Sequence, residues 1–378
     1  MWNISIKFAA VQVYACRCIF MVIFLITLSG LTAACLLVLL LVVISGGIAS
    51  VFGVRFRTFF RRGLWFVLLP LPVFAYGCLI ERNIYNVKEV EIISDGIPKS
   101  FDGYRIVQLS DIHLSSFRGR ARSLERAVRK VNGLDPDIIL FTGDLVTFSP
   151  DELDRKLSSV LSGLKAEDGV YSVLGNHDYC TYTEYASEEE RLTALEKLVG
   201  KEEDMGWTVL LDSCVNVVRT SVCGIDGSLC RDTVTIAGVR NISAHPHFPS
   251  DGDLDKALSY AAGDYVILMS HDPTHWRKEV MYRDDVDIML SGHTHAMQLA
   301  FFGWSPASFI YKEYSGLYCR SDEVTDGTKK ADRDSLCEDI RCPQYLYVNT
   351  GLGETGFPAR AGVPPEITVF TLSCPDMP

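Results

Sequence analysis

Beyond residue 86 the chain alternates short apolar runs with amphipathic helical patterns. "YRIVQLSD" (104–111), "DIILFTGD" (137–144), "VYSVLGNHD" (170–178), "YVILMSHD" (265–272) and "VDIMLSGHTH" (286–295) each read as a buried strand. All five run apolar residues straight into Asp, Asn or His. "WTVLLDS", "DTVTIAGVRN", "YLYVNTG" and "EITVFTL" read as further strands. Between them, "ARSLERAVRKVNG" (121–133) places apolar residues at 124, 128 and 131 before a glycine stop, the pattern of an amphipathic helix. "SEEERLTALEKLVGKEED" (187–204) reads as a second. The expected fold class is α/β or α+β, with helices covering a largely buried sheet. In such sheets ligands bind where strands end.

The first 80 residues follow a different pattern. From Cys18 to Val54 no residue is charged, and a third apolar run, "GLWFVLLPLPVFAYGCLI", occupies 63–80. One spanning helix takes about 20 apolar residues, so 18–54 is long for one span and tight for two. "SGLTAAC" (29–35) is a candidate hairpin turn, and Pro70 and Pro72 are expected to kink the third run. The division expected is a membrane region at 1–80 with two or three transmembrane helices, followed by a globular domain at 81–378.

Charge sharpens that division. Residues 1–80 contain no Asp or Glu and six basic residues, leaving 30 Lys and Arg against 47 Asp and Glu in the body. An acidic body has no electrostatic footprint for duplex nucleic acid. Arg55, Arg57, Arg61 and Arg62 cluster between the apolar runs. If basic loops stay inside, the body lies outside the cytoplasm of a multi-pass protein of the cell membrane. "RRGLWF" (61–66) also resembles a twin-arginine export signal, though far from the start, and the basic cluster accounts for it more simply. Eight of the twelve cysteines fall in the body. Their bunching suggests disulfides within 214–230 and within the charged, cysteine-bracketed insertion 319–342, with free buried thiols as the alternative.

The strand-end residues form one chemical set: Asp111 and His113, Asp144, Asn176 and His177, His271, and His293 with His295. Taken singly, Asp111 and Asp144 also suit helix N-caps, and Asn176 after Gly175 suits a turn. Together they offer hard oxygens mixed with imidazoles, which suits manganese, iron or zinc better than calcium or magnesium alone. Seven ligands are too many for one ion and about right for two that share a carboxylate, a clamp used in phosphate-ester hydrolysis. His245, His247 and His275 fit ordinary loop or core roles, and Arg360 suits either a structural ion pair or a substrate phosphate.

The order DxH, GD, GNHD, a lone His in "SHDP", then GHTH resembles the calcineurin-like metallophosphoesterase superfamily, over roughly residues 90–375. "FDGYRIVQLSDIHL", "SHDPTHW" and "YVNTGLGETGFPARAGVPPEITVFTL" are similar to its membrane-associated bacterial branch. The resemblance implies a four-layer α/β/β/α sandwich preceded by transmembrane helices. It implies two divalent ions, manganese favoured. Asp111, His113 and His295 would hold the first, Asn176, His271 and His293 the second, and Asp144 both. His177 would act on the phosphoryl or leaving-group oxygen, with Asp178 orienting it. One departure stands out: many members carry an acid three positions after the bridging aspartate, where this chain has Thr147. The implied function is hydrolysis of a phosphodiester or phosphomonoester, lipid- or envelope-linked, at the membrane surface. Two alternatives stay open. One is pyrophosphate cleavage of a UDP-linked acylated sugar in lipid A synthesis, whose cytoplasmic substrate conflicts with an outside body. The other is a membrane protein that binds metal without catalysis.

Overall fold

The structure, a computed structural model, describes residues 2–222, 229–320, 328–330 and 343–375. The chain divides into two compact units, Met1–Arg82 with Thr355–Ala361, and Asn83–Glu354 with Gly362–Pro378.

In the first unit, α1 (Trp2–Val51) is a single helix of 50 residues, about 75 Å long at 1.5 Å per residue. The hairpin turn expected at 29–35 is therefore not formed. Ser29 donates its hydroxyl to Ile26 O at 2.9 Å and Thr32 to Leu28 O at 2.7 Å, so both polar side chains are satisfied inside the helix. α2 (Phe56–Gly63) passes through a 3₁₀ stretch at Leu64–Leu68 into α3 (Pro70–Leu79). Pro70 starts that last helix, where its missing N–H costs nothing. Phe24–Val51 and Phe56–Asn83, 28 residues each with mean hydropathy 2.7 and 2.0, are long and apolar enough to cross a membrane.

Among its described residues the second unit holds thirteen strands and five α-helices. In chain order these are β1 (Asn86–Ile93), β2 (Arg105–Leu109), α4 (Ala121–Asn132), β3 (Ile138–Phe141), α5 (Arg155–Leu161), β4 (Val170–Ser172) and α6 (Glu188–Asp204). Then come β5 (Thr208–Val209), β6 (Ser213–Val222), β7 (Leu229–Gly238), α7 (Leu254–Leu258), β8 (Tyr265–Met269), α8 (Thr274–Lys278) and β9 (Ile288–Ser291). β10 (Gly316–Arg320), β11 (Thr328–Lys330), β12 (Tyr345–Val348) and β13 (Glu366–Ser373) complete it. One sheet has the order β1-β13-β2-β3-β4-β5, the other β11-β10-β12-β9-β8-β7-β6.

Side-chain alternation along the strands builds the layers. Val107, Leu109, Ile139 and Phe141 pack outward against Leu124 and Val128 of α4 and Leu157 of α5. Their neighbours Ile106, Ile138 and Leu140 pack inward against Ile236, Ile267, Met269 and Leu290 of the second sheet. On the far side Leu268, Met289 and Leu346 meet Leu254 of α7 and Trp276 of α8. Because successive side chains on a strand face opposite ways, these cores define the α/β/β/α sandwich. Buried polar contacts link the two sheets, among them Tyr347 of β12 donating to Glu366 of β13 at 2.8 Å. Gln108 of β2 donates to Thr142 Oγ1 at 3.0 Å and to Ser291 O of β9 at 2.9 Å.

β2, β3 and β4 run parallel in one sheet, and β8 and β9 run parallel in the other. The residues that follow these five strands include every candidate ligand. Disulfide expectations fare unevenly. Cys319, near the end of β10, is disulfide-bonded. Cys214 is not disulfide-bonded, so the pairing expected within 214–230 does not include it. Cys223 and most of the 319–342 insertion also lie outside the described residues.

Glu202 of α6 is fully buried behind β4. Ser172 donates to its Oε2 at 2.6 Å, and its Oε1 has no hydrogen-bond partner among the described residues. Burial first, then the nearby Asp178 charge, push its carboxyl from 4.5 up to about 8. The folded state therefore holds a proton that the unfolded chain releases at lower pH. That stabilisation is full below about 4.5 and lost as pH rises through about 8. Glu202→Gln cannot titrate, so its melting temperature should gain on wild type between pH 5 and pH 8. Parallel shifts of both proteins in thermal melts across that range would refute this.

Candidate metal centre

The loops after the five strands bring their polar residues to one place, and the backbone is bent to do it. Asp111, His113, Asp144, His293 and His295 all have φ between 43° and 72°, a left-handed conformation that costs a non-glycine residue energy. Five such residues at one site signal a geometry imposed by the surrounding fold. Neighbouring glycines explain how the loops approach. A Cβ on Gly292 would lie 1.9 Å from Ser110 Oγ and 2.3 Å from Asp111 Oδ2. Gly292→Ala should thus push Asp111 out of place, costing about 1–3 kcal/mol by overpacking, with metal affinity lowered in the same samples. A thermal midpoint and metal content equal to wild type would sink this account.

Two clusters form. Ligand atoms of Asp111, His113 and His295 lie within 4.8 Å of one another, as do those of Asp144, His271 and His293. The Nε2 atoms of His113 and His295 face each other at 3.1 Å, and His295 Nε2 is 3.2 Å from Asp111 Oδ1. In the second cluster Asn176 Oδ1 lies 2.7 Å from His293 Nδ1 and 3.2 Å from His271 Nε2. Asp144 stands between them, its Oδ2 at 3.5 Å from His113 Nε2 and 3.3 Å from His271 Nε2. Of the seven residues expected to bind metal, six are buried and His293 is partly exposed.

Three of the four imidazoles are aimed by a contact on the other ring nitrogen, as metal ligands usually are. His271 Nδ1 donates to Thr142 O at 2.8 Å. His113 Nδ1 meets Thr147 Oγ1 at 3.3 Å, and His293 Nε2 meets the Tyr311 hydroxyl at 3.0 Å. Asn176 Nδ2 donates to the Tyr182 hydroxyl at 2.9 Å, which turns its oxygen toward the cluster. Thr147, Tyr182 and Tyr311 are absent from the candidate set read in the sequence. No local pattern marks them, because their role depends on contacts across the fold. Thr147 occupies the position where an acid was expected; its hydroxyl supports His113 and its carbonyl accepts from His177 Nδ1 at 2.8 Å.

His177 reaches the site edge, half-buried, its ring stacked on Tyr182 with centroids 4.1 Å apart. Asp178 is placed differently from its expected role of orienting His177. Its oxygens accept from the backbone N–H groups of Asp144 at 2.7 Å, Gly175 at 2.9 Å and Val146 at 3.1 Å. It clamps the Asp144 loop, and Thr147 aims His177. Burial, then the Asp144 charge, raise Asp178 to about 7. His245 and Phe248 line the rim, with the Phe248 ring edge-on to His293 at 4.9 Å. His275 bonds Ser270 and Glu279 within its own segment, and Arg360 is fully buried.

The electrostatics fit cations. Burial alone would raise the Asp111 and Asp144 carboxyls, yet neighbouring imidazoles hold both well below the carboxylate range. Conversely, burial would lower His271, but Asp144 and Asp111 raise it to about 10. A buried pocket that draws positive charge this strongly suits divalent ions. Burial keeps His113 and His293 low and neutral, with lone pairs to give.

A two-sheet sandwich with buried Asp, Asn and His converging at the strand ends is the architecture of a metal-dependent hydrolase. The sequence profile described as calcineurin-like phosphoesterase matches residues 104–297, and the chain belongs to that family. It is 30% identical over 316 residues to a zebrafish (Danio rerio) protein described as a transmembrane protein with metallophosphoesterase domain, covering 83% of this chain. The chain spans 63% of that relative's length and 61% of the similar cattle (Bos taurus) protein. It is also 30% identical to the uncharacterized metallophosphoesterase YkuE of Bacillus subtilis, covering 79% of this chain and 89% of that one. The UDP-2,3-diacylglucosamine pyrophosphatase LpxG of Chlamydia trachomatis is 27% identical, covering 80% and 93% respectively. The family uses divalent metals on phosphoester substrates, and relatives include transmembrane proteins.

Proposed function

We propose that this chain is a membrane-anchored phosphoesterase with a dinuclear metal centre, acting on a phosphoester at the lipid surface. The carrying observation is Asp144, whose Oδ2 sits 3.5 Å from His113 and 3.3 Å from His271, between two clusters of ligand type. In this reading Asp111, His113 and His295 hold one ion, Asn176, His271 and His293 hold the other, and Asp144 touches both. Mixed oxygen and imidazole donors favour manganese, with iron or zinc next. When bound, two such ions would supply an activated water and stabilisation for the charge on the phosphoryl oxygens. The protein's own part is orientation and proton handling. Thr147 O fixes His177 through Nδ1, leaving Nε2 as the nitrogen that meets the leaving-group oxygen, as general acid or hydrogen-bond donor. Tyr182 and Tyr311 hold Asn176 and His293 in line.

The body is assigned to the outside of the membrane. Arg55 lies between the two apolar segments and Arg57, Arg61 and Arg62 in the first turns of the second, and keeping them inside sends the following domain out whichever way α1 is counted. The Cys319 disulfide agrees with an oxidising compartment. A reporter fused after residue 378 should be active outside; activity confined to the cytoplasm would reverse the topology and favour a nucleotide-sugar pyrophosphate like that of the chlamydial relative.

The enzymatic reading is tested with full-length chain, stripped of metal and reloaded with Mn²⁺ or Zn²⁺. Hydrolysis of bis(p-nitrophenyl) phosphate should return on reloading, more strongly with Mn²⁺. Metal uptake without turnover of mono- or diesters would favour a protein that only binds metal.

A further inference from the structure

The segment Ala296–Tyr311, "AMQLAFFGWSPASFIY", leaves the metal centre at His295 and returns to it at Tyr311, whose hydroxyl meets His293. It carries no charged residue over sixteen positions, in a body where acids outnumber bases 47 to 30. Its apolar side chains are turned outward. Met297, Phe301, Phe302, Trp304, Phe309 and Ile310 are all exposed, Phe309 at 82% and Phe302 completely.

The backbone makes the exposure deliberate. Phe301 and Trp304 exchange both backbone hydrogen bonds, 2.8 and 3.0 Å, across a two-residue turn. Phe302 and Gly303 at its tip have φ of 49° and 81°, the arrangement of a type I′ hairpin. That first position ordinarily takes Asn, Asp or Gly. Here a phenylalanine accepts a left-handed backbone and full exposure together, two costs that water-facing turns avoid. Trp304 packs edge-on against Phe309 at 5.5 Å, so the tip and the following turn form one aromatic lip.

We infer that this lip dips into the interfacial zone of the lipid bilayer beside the active-site mouth. A convex tip offers neither a groove nor a flat face to a folded partner, but a fluid interface accepts it. The paired backbone of the hairpin leaves few polar groups to desolvate. Tryptophan and phenylalanine without charge are the side chains such an interface favours. The chain also carries two segments apolar enough to span that bilayer. Both ends of the lip are rooted at ligand residues, so immersion would bring lipid-borne phosphoesters to the metal clusters. The inference rests on the phosphoesterase reading only for this last consequence.

The test uses the full chain in phosphatidylcholine nanodiscs with plain or brominated acyl chains. The chain has five tryptophans, and the difference between wild type and Trp304→Phe isolates Trp304. Its emission should be about twofold weaker, or less, in brominated discs. Phe302→Asp should restore it while hydrolysis of soluble bis(p-nitrophenyl) phosphate and the melting temperature stay at wild-type values. Equal Trp304 brightness in both discs overturns the inference, as does quenching that survives Phe302→Asp. Trp304 shielded only when two copies share a disc would mean that a second copy covers the lip. A quenched Trp304 in a chain with no turnover would sink the phosphoesterase reading and leave the lip intact.

Discussion

Asp144→Asn should empty the metal centre on both sides at once. The carboxylate reaches imidazoles of both clusters, facing His113 and His271 from a fully buried position. An amide keeps the oxygen that accepts from His177 N at 2.8 Å, so the local backbone should survive. What disappears is the charge. Metal bound per chain should fall from two toward none, and diester turnover by on the order of 10²–10³-fold, the scale of losing one charge-stabilising group. Metal that binds only the folded state raises the melting temperature; that rise should vanish in the variant, with the metal-free midpoint near wild type. Two ions still bound to the purified variant would refute a shared Asp144.

His177→Ala should behave in the opposite way. Its ring is aimed by Thr147 O and Tyr182 and lies edge-on to His113 at 4.9 Å between centroids. As the proposed donor to the leaving oxygen, it should cost about 10²–10⁴-fold in kcat when removed, with both metals retained. The loss should be smaller for substrates with good leaving groups, which need less protonation. His177 also lies within 4.8 Å of His113 and Asp144 ligand atoms. Loss of an ion in the alanine variant would therefore make it a ligand and overturn its proposed role. The pair of variants separates binding from chemistry, since one should lose metal and the other only rate.

Much of this site is legible along the chain because its signals are local. A strand declares itself by apolar runs such as Ile138–Phe141, and polar residues within four positions of its end mark where the strand stops. Asp111, Asp144, Asn176, His271 and His293 are all of that kind. The grouping into two clusters is not local. His293 meets Asn176 across 117 positions, and His113 meets His295 across 182. Only their shared chemistry, and the family order of motifs, pointed to the encounter.

Other features lie beyond any local pattern. Ser29 and Thr32 suggest a turn by composition but bond back within α1, and the helix continues. Asp178 adjoins His177 in sequence, yet three backbone N–H groups around Asp144 and Gly175 capture it. Tyr182, Tyr311 and Thr147 are ordinary residues until the fold sets them behind ligands. "AFFGW" is apolar enough for a core, and only the hairpin geometry turns it outward. Sequence by itself determined the elements, the apolar head and the donor atoms, because burial periodicity and residue chemistry act over a few positions. Tertiary structure alone decided which donors share an ion and which side chains aim them. It also decided which apolar residues stay uncovered, because those depend on distances between strand ends that no spacing along the chain encodes.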